Sequence, residues 1–290
     1  MKMPAALRAS RVRSTLKSAA TKARPLYLAA GERTAAYRMT PAFIMIGASR
    51  SGTTTLFHSF GTHPEIARPP LHKGVRYFDL NYDKGWDWYR AHFPLRTPWR
   101  SGKRAFEASG YYLYHPLVPE RMAADLPQIK LVAMVRDPVE RAFSAWKHES
   151  ARGFEDLPLS AALDAEDERL ATAAQELARD PFANPHSLRH HSHRTRGEYI
   201  DQFERYLQYV DRSNLHVVVS ERFFADPEQE YAQVLEFLGL PVVMPAEGFA
   251  KENARPSKPM PEDDRLRLAE HFQPYNDRLE KFLGYPLPWA

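Results

Sequence analysis

The sequence feature that most constrains the fold is a short apolar run that ends in a glycine-bounded loop. Residues 42–47 read Ala-Phe-Ile-Met-Ile-Gly, and the small polar residues of 48–52 follow directly. An apolar run of this length beside turn residues is typical of a buried strand. From Thr53 to Phe60, apolar residues recur at helical spacing, which predicts a helix. The order strand, loop, helix is one that α/β proteins use to hold anions.

Two later apolar runs, 131–135 and 215–219, also predict buried strands. Asp137-Pro138 and Asp226-Pro227 follow them, and Asp as N-cap with Pro at the first helical position is typical of a helix start. Buried strands that alternate with helices favour a parallel sheet covered on both faces. We therefore predict an α/β, P-loop-like, three-layer fold with a central parallel β-sheet flanked by helices.

The remaining elements are predicted from weaker patterns. Residues 104–107 and 111–114 are candidates for short extended segments, and residues 159–178 read as one exposed amphipathic helix. Residues 244–261 are rich in Pro, Lys and Asn and are predicted to form a loop. A final helix is expected over 263–283, stopped by the glycine and proline that follow it.

Charge divides the chain into a head and a body. The 290 residues suffice for one large domain or two small ones, and the absence of cysteine excludes disulfides and cysteine-based metal sites. Residues 1–40 carry nine Lys or Arg and one acid, a net charge of +8, which leaves 4 − 8 = −4 for residues 41–290. We predict a basic, helical N-terminal extension over 1–40 and a single domain over 41–290.

The basic head holds only short apolar stretches between its charges. These stretches are shorter than the roughly 18 apolar residues that span a bilayer, and they do not form a secretory signal. A solvated, partly helical extension is favoured over contact with a membrane surface or another anionic partner. With no signal, no anchor and no cysteine, a cytoplasmic location is expected, with peripheral contact at the membrane as the open alternative.

Two segments are candidates for anion binding. The first, Gly47-Ala-Ser-Arg-Ser-Gly52-Thr53-Thr54, matches the P-loop pattern except that Thr53 occupies the lysine position. Arg50 is the nearest cation, so the loop suits a smaller anionic charge than a triphosphate with its metal. The second is Arg136, at the end of a predicted strand, with Ser144 two turns into the next helix. An ordinary turn and a surface ion pair of Arg136 with Asp137 or Glu140 are the alternatives.

Taken together, the two segments resemble the donor site of sulfotransferases that use 3′-phosphoadenosine 5′-phosphosulfate (PAPS). Residues 47–55 resemble the 5′-phosphosulfate loop of that family, and residues 131–146 resemble its 3′-phosphate segment. The resemblance is to the heparan-sulfate-type branch and its bacterial relatives, and it covers residues 41–289. Further similar segments are 63–66, 73–79, 88–94, 106–113, 196–199, 220–221 and 251–283.

The resemblance implies PAPS as sulfuryl donor, PAP as product and no metal. The residues implied at the 5′ phosphosulfate are Arg50, Ser51, Gly52, Thr53 and Thr54. Those implied at the 3′ phosphate are Arg136 and Ser144, and a late loop with Lys251, Asn253 and Arg255 is expected to close over the nucleotide.

Transfer of a sulfuryl group requires an aligned acceptor oxygen, a base for its proton, and stabilisation of charge on the leaving phosphate. Arg50 and Lys73 are expected to stabilise that charge. In the segment matching 73–79, the family carries Glu and His where this chain has Gly74 and Arg76. Since arginine cannot act as a base, Arg76 is expected to contact an anionic acceptor or to fix a carboxylate.

The candidates for the base are Asp79 and Glu107, with His72 third. The alternative for Glu107 is a buried carboxylate paired with Arg136 or Lys73.

Two groups of residues with ring side chains, histidines and tryptophans, are candidates for binding a metal or an acceptor. A metal site at the four histidines is disfavoured because no cysteine and no well-spaced carboxylate completes it, and a polar loop at the acceptor entrance is expected instead. The tryptophans, Trp88 among them, suggest a platform for stacking a sugar, with core packing expected for at least one. The residues of the two groups are His186, His190, His191 and His193, and Trp86, Trp88 and Trp99.

The function predicted is PAPS-dependent transfer of a sulfuryl group to a hydroxyl, with an amine as second choice, of a glycan, a glycolipid or another small acceptor. A P-loop kinase or NTPase is the first alternative, against which stand Thr53 and the Arg136–Ser144 pair. A non-catalytic PAPS- or PAP-binding protein is the second, because Gly74 and Arg76 replace the expected base. Nucleic-acid binding by the head lacks a supporting aromatic pattern.

Overall fold

The computed structural model describes residues 25–71, 73–249 and 259–289. Its sheet has five strands in the order β2-β3-β1-β4-β5, and every pairing is parallel. The predicted α/β class with a central parallel sheet is confirmed. The strands are β1 (Pro41–Gly47), β2 (Ile66–Ala67), β3 (Arg104–Ala108), β4 (Lys130–Val135) and β5 (Leu215–Val219).

Helices connect the strands and cover the sheet. The described helices are α1 (25–33), α2 (Thr53–Thr62), α3 (Tyr77–Leu80), α4 (Trp86–Arg90), α5 (Val118–Asp125), α6 (Pro138–Ala151), α7 (Leu159–Asp164), α8 (Glu166–Arg179), α9 (His186–His190), α10 (Tyr199–Tyr206), α11 (Ser220–Ala225), α12 (Pro227–Leu238) and α13 (Glu262–Leu283). The predicted starts of α6 and α12 are confirmed, because Asp137 accepts a hydrogen bond from Val139 N and Asp226 accepts one from Gln229 N.

The sheet separates two apolar cores, and the alternation along β1 shows how. Phe43 and Met45 pack into one core, with Leu56 and Phe60 of α2 and with α12. Ile44 and Ile46 pack into the other, with side chains of α4, α10 and α13. Successive residues of a strand point to opposite faces, so each face of β1 is buried under its own layer of helices. The three-layer architecture follows from this alternation.

Two predicted elements differ from the structure. Residues 111–114 form turns rather than an extended segment, and the backbone N–H of Leu113 donates to Ile46 O at 2.8 Å. Residues 159–178 form two helices, α7 and α8, rather than one exposed helix. The break falls beside Glu166, which is fully buried because its carboxylate accepts hydrogen bonds from the backbone N–H groups of Arg194 and Thr195. Charge periodicity does not reveal such a buried carboxylate.

The described part of the basic head packs against the domain. Arg38 is 6% exposed, and its guanidinium donates to the carbonyl oxygens of Phe93 at 2.6 Å and Ala91 at 3.1 Å. Tyr27 of α1 accepts a further hydrogen bond from Arg38 at 3.1 Å. Residues 25–40 are thus attached to the body, while residues 1–24 lie outside the described residues. Among the helices described, none combines the length and apolar character needed to cross a bilayer.

Candidate donor and acceptor site

The parallel sheet brings three chain segments to one edge. β1 lies between β3 and β4, so the loop 48–52 after β1, the turn after β3 and Arg136 after β4 all lie at the carboxyl ends of neighbouring strands. The chain builds β2 and β3 on one side of β1 and then β4 and β5 on the other. Open α/β sheets bind ligands in the crevice at such a change of direction.

The loop 48–52 reaches the start of α2 through two left-handed residues. Arg50 has φ 74° and Gly52 has φ 86°. A Cβ at Gly52 would lie 3.0 Å from a ring carbon of Phe224, so a side chain there would be both strained and crowded. Glycine is therefore required at the N-cap of α2, as the sequence pattern predicts.

The N-terminus of α2 is prepared for an anion. Its first turn contains no acidic residue and begins with Thr53 and Thr54. Lys73 Nζ donates to Thr53 Oγ1 at 3.0 Å, although the two residues are 20 positions apart. The chain thus brings an ammonium group to the very residue that replaces the P-loop lysine. Backbone N–H groups, hydroxyls and this ammonium together suit a phosphate or sulfate group.

The second predicted segment meets the first directly. Arg50 Nε donates to Ser144 Oγ of α6 at 3.0 Å across 94 positions of sequence. Arg136 forms an ion pair with Glu140 at 3.7 Å, as one alternative expected, but its side chain remains 33% exposed and accessible to a ligand. Tyr199 OH donates to the Arg136 carbonyl oxygen at 3.0 Å and holds the backbone there.

Sequence reasoning missed Lys147 at this place. Burial lowers the pKa of Lys147, the Glu140 carboxylate opposes this shift, and the charges of Arg136 and Arg50 lower the pKa further. The three cations therefore share one neighbourhood, where a dianionic phosphate would relieve their repulsion. Lys147 follows Ser144 by three positions on α6, a helical spacing that could have indicated it.

A cavity of about 360 Å³ opens beside the loop. Its wall contains six Lys or Arg side chains and, among the described residues that line it, a single carboxylate, Glu149. Its volume is within the range of small-molecule sites, and its charge fits an anionic ligand. The lining residues with charge or acid–base chemistry are Arg50, Lys73, Arg76, His148, Glu149, Arg152, Arg189, His190 and Arg196.

Of these, His148, Glu149, Arg152 and Arg189 are lining residues that sequence reasoning missed, whereas His190 was expected near the acceptor entrance. The sequence did contain a pattern that indicates some of them. Polar residues recur at intervals of four, at Ser144, His148 and Arg152, so they lie along one side of α6 and its C-terminal end. Residues 186–196 come from a separate segment, and no local pattern indicates that α9 faces α6.

Arg76 and Asp79 form an ion pair, which confirms that Arg76 fixes a carboxylate. Arg76 Nε and Nη2 donate to Asp79 Oδ2 at 3.0 and 2.6 Å. Burial raises the pKa of Asp79, and Arg76 opposes that shift. Arg76 lines the cavity whereas Asp79 does not, so the arginine stands between this carboxylate and a ligand.

Glu107 is fully buried on β3, as the alternative to a catalytic role expected, but its hydrogen-bond partners are not Arg136 or Lys73. Its carboxylate accepts hydrogen bonds from Val75 N at 2.7 Å, from Tyr89 OH at 2.8 Å and from Tyr112 OH at 3.1 Å. It is not among the residues that line the cavity. The strand thus turns its carboxylate into the core under α4, where it accepts from the backbone of the segment that carries Lys73 and Arg76.

The tryptophans do not form a common platform. Trp86 and Trp88 pack around Tyr77, with ring centroids 6.2 and 6.5 Å from its ring, and neither lines the cavity. Trp99 is 73% exposed near the start of β3, at the opposite edge of the sheet. The structure places Trp88 beside the core, on α4, and not at the cavity where an acceptor contact was predicted.

Of the four histidines, His190 lines the cavity, and it lies with His186 in the short helix α9 rather than in a loop. His190 contacts Glu149, His193 contacts Glu155 at 3.0 Å, and His191 contacts Phe154 O at 2.8 Å. Within the described ranges, no three His, Asp or Glu side chains are grouped to share a metal ion. Four other predicted residues, His72, Lys251, Asn253 and Arg255, lie outside the described residues.

Comparison with known proteins gives one consistent family. Residues 40–258 match the family described as "Sulfotransferase domain". Human bifunctional heparan sulfate N-deacetylase/N-sulfotransferase 3 is 29% identical over 280 aligned residues, which cover 86% of this chain and 31% of the relative. Human heparan sulfate glucosamine 3-O-sulfotransferase 6 is 26% identical over 87% of this chain and 75% of the relative.

A solved structure agrees with the sequence matches. The crystal structure of a sulfotransferase from Alicyclobacillus acidocaldarius superposes with a TM-score of 0.64 at 28% identity, covering 86% of this chain and 97% of that chain. The chain spans 30–31% of the length of the N-deacetylase/N-sulfotransferase relatives from cattle and human. On the family match, the fold and the residues at the donor loop, the chain belongs to the sulfotransferase domain family.

Proposed function

We propose that this chain transfers the sulfuryl group of PAPS to a hydroxyl group of an anionic glycan or glycolipid, with release of PAP. The contact between Arg50 and Ser144 carries the proposal. It joins the loop suited to the 5′ phosphosulfate and the helix suited to the 3′ phosphate, which are the two anionic ends of one nucleotide. A site for a nucleoside triphosphate does not need the second group of cations, Arg136 at the end of β4 and Lys147 on α6.

The residues of the site divide the chemistry between them. Lys73, Arg50 and the N–H groups at the start of α2 stabilise negative charge on the leaving 5′ phosphate. Arg136, Ser144 and Lys147 hold the 3′ phosphate and fix the donor in place. In the transfer, a bond forms between the acceptor oxygen and sulfur while the bond between sulfur and the bridging phosphate oxygen breaks.

The charge of the cavity supports an anionic acceptor. Arg76, Arg152, Arg189 and Arg196 line it in addition to the donor residues, and only Glu149 opposes them among the described lining residues. Arginine pairs with planar carboxylate and with sulfate through two parallel hydrogen bonds. We therefore place carboxylate or sulfate groups of the acceptor near these arginines. A neutral alcohol gains nothing from them.

The two alternatives are less well supported. A kinase requires carboxylates to hold magnesium beside the phosphates, and of the described residues lining the cavity only Glu149 has one, already bound to His190 and Arg152. A non-catalytic PAP-binding protein would have no use for the acceptor-side arginines.

The donor site is tested by calorimetry with PAP. Arg136→Ala removes a charge-assisted contact, so we expect PAP affinity to fall about 10- to 100-fold. Arg100→Ala removes a cation at the opposite edge of the sheet and should leave affinity unchanged. Preference for ATP with magnesium over PAP, or an equal effect of both substitutions, would contradict the proposed donor site.

The acceptor class is tested with [³⁵S]PAPS and pairs of acceptors that differ in charge. We expect transfer to completely desulfated, N-acetylated heparin, which keeps its carboxylates, and little transfer to the carboxyl-reduced form of the same glycan. Arg189→Gln should lower transfer to the carboxylated glycan and leave PAP affinity unchanged. Equal transfer to both glycans would overturn the anionic acceptor but not the donor site.

We also propose that the basic head and its surroundings contact an anionic membrane surface. Tyr37 and Trp99 are 71% and 73% exposed. Arg96 N donates to Tyr37 O at 2.8 Å, which joins the short 3₁₀ helix Ala35–Tyr37 to the segment that carries Trp99. Arg96, Arg100 and Lys103 surround an open cavity of about 530 Å³ at this edge. Residues 1–24 of the sequence add seven Lys or Arg and no acid. Aromatic and cationic side chains together suit the lipid headgroup region.

Sedimentation with vesicles tests this surface. We expect binding to vesicles with phosphatidylserine, weakened about fivefold by Lys103→Ala because each surface cation contributes about 1 kcal/mol. Equal binding to neutral and anionic vesicles would contradict it. The cytoplasmic location expected from the sequence stays a prediction.

A further inference from the structure

Sulfuryl transfer to an alcohol needs a base that accepts the proton of the hydroxyl group. Position 74 and the carboxylates Asp79 and Glu107, where the sequence led us to look for that base, do not supply it. A Cβ at Gly74 would lie 2.6 Å from the carbonyl oxygen of Ala108, so the backbone leaves no room for a side chain there. Asp79 is buried behind Arg76, and Glu107 is buried with three donors. The base must therefore come from another wall of the cavity.

Three described residues that line the cavity carry an imidazole or a carboxylate, the groups that act as general bases: His148, Glu149 and His190. The other titratable lining groups are lysine and arginine, which are charged already, and Tyr111, whose pKa burial raises. His148 and Glu149 belong to α6 and His190 to α9, whereas Thr53 and Lys73 line the cavity from other segments. The choice among the three candidates depends on their hydrogen bonds.

Glu149 is already engaged on both oxygens. Arg152 Nη1 lies 3.4 Å from Oε1 and 3.3 Å from Oε2, and His148 Nε2 lies 3.9 Å from Oε1. Oε2 also lies 2.7 Å from His190 Nδ1. A carboxylate held by an arginine and a histidine is a poor proton acceptor but a good means of orienting an imidazole.

His190 is held as a base would be. Its Nδ1 faces the Glu149 carboxylate, so the proton of a neutral ring resides on Nδ1 and the lone pair on Nε2. The ring stacks on Phe154, with centroids 4.2 Å apart at an interplanar angle of 27°. Among the described residues, Nε2 of His190 has no hydrogen-bond partner. A carboxylate that orients an imidazole whose other nitrogen remains available is the arrangement of general-base sites.

We propose that His190 is the general base of sulfuryl transfer and that Glu149 is the residue that positions it. The proposal rests on the proposed function. His190 Nε2 takes the proton of the acceptor hydroxyl as its oxygen bonds to sulfur, and the electron pair of the broken S–O bond passes to the 5′ phosphate of PAP. Glu149 stabilises the imidazolium so formed.

The charges around His190 keep its ring neutral in the resting enzyme. Burial lowers the pKa of His190, while the Glu149 carboxylate raises it and His186 and Arg189 lower it. Arg152, the residue directly after α6, forms an ion pair with the same carboxylate and weakens the attraction between that carboxylate and the ring. The neutral base is therefore present at physiological pH, and activity should fall as the pH drops through the lowered pKa. Glu149→Gln removes the one nearby anion, so the acid limb of the pH profile should move to lower pH.

The test compares two acceptors that differ in their need for a base. Completely desulfated, N-acetylated heparin presents alcohols, whereas p-nitrophenol at alkaline pH is already a phenolate. We expect His190→Gln to lower transfer to the glycan at least about 100-fold, the contribution of a general base, and to leave transfer to the phenolate and PAP affinity near wild type. His191→Gln is the matched control, because His191 binds Phe154 O and does not line the cavity.

Each outcome separates the two proposals. If the His190→Gln variant still transfers to the glycan at the wild-type rate, or loses activity equally on both acceptors, His190 is not the base. The proposed function is unaffected by either result. A wild-type chain that binds no PAP and transfers to neither acceptor overturns the proposed function and the base assignment with it. Thermal unfolding of each variant distinguishes a lost base from a lost fold, since an unfolded His190→Gln chain would also lose PAP.

Discussion

Two opposing physical effects act on the pKa of Glu107, and the structure indicates which of them is larger. Burial of a carboxylate favours its neutral form, whereas the three hydrogen-bond donors Val75 N, Tyr89 OH and Tyr112 OH favour its charged form. Burial is the larger effect and raises the pKa of Glu107 from 4.5 to about 7. We therefore predict that Glu107 makes stability depend on pH.

The sign and size follow from proton linkage. Because the folded pKa lies above the unfolded value, the folded state binds more protons between pH 4.5 and about pH 7. The contribution of Glu107 to stability is thus complete below pH 4.5 and is lost as the pH rises through about 7. A difference of about 2.5 pKa units corresponds to about 3 kcal/mol.

Glu107→Gln removes the titration while keeping the shape of the side chain. We expect urea unfolding at a series of pH values to show Glu107→Gln gaining about 3 kcal/mol relative to wild type between pH 4.5 and pH 8. The Tyr hydroxyls can rotate to accept from the amide, so the comparison keeps their contacts. A difference in unfolding free energy between Glu107→Gln and wild type that stays constant with pH would refute the reasoning. It would show that the three donors hold the carboxylate charged despite its burial.

Three further predictions concern the donor loop and its supports. Gly52→Ala should cost about 1–2 kcal/mol in urea unfolding and exceed the cost of Gly284→Ala, because both glycines lie in the left-handed region, with φ 86° and 81°, but only the first would place its Cβ against a ring, 3.0 Å from Phe224; equal costs would contradict the contact. Asp137→Ala should lower stability by about 1 kcal/mol through loss of the N-cap bond to Val139 N, as should Asp226→Ala at α12; an unchanged urea midpoint would count against the cap. Lys73→Met should lower sulfuryl transfer about 100-fold and should also lower PAP affinity, because the ammonium acts on the 5′ phosphate, which is the leaving group of the transfer and which PAP retains; unchanged transfer would contradict this role.

Local patterns determined the frame of the site before any contact was known. The apolar run before Gly47 and the glycine-bounded loop that ends at Gly52 predict strand, loop and helix, because each depends on a few consecutive residues. The same is true of Arg136 at the end of β4, and the parallel sheet then places both segments at one edge. Strand ends and helix caps are local features, and these predictions were confirmed.

The tertiary structure alone decided which side chains meet across that edge. Lys73 reaches Thr53 across 20 residues, Arg50 reaches Ser144 across 94, and Glu149 reaches His190 across 41. Such pairs depend on how helices from separate segments pack, and residue type alone does not indicate a partner. The same packing buried Glu107 and left no space beside Gly74. The donor loop could therefore be predicted from consecutive residues, whereas the acceptor wall and its candidate base arise from segments that only folding brings together.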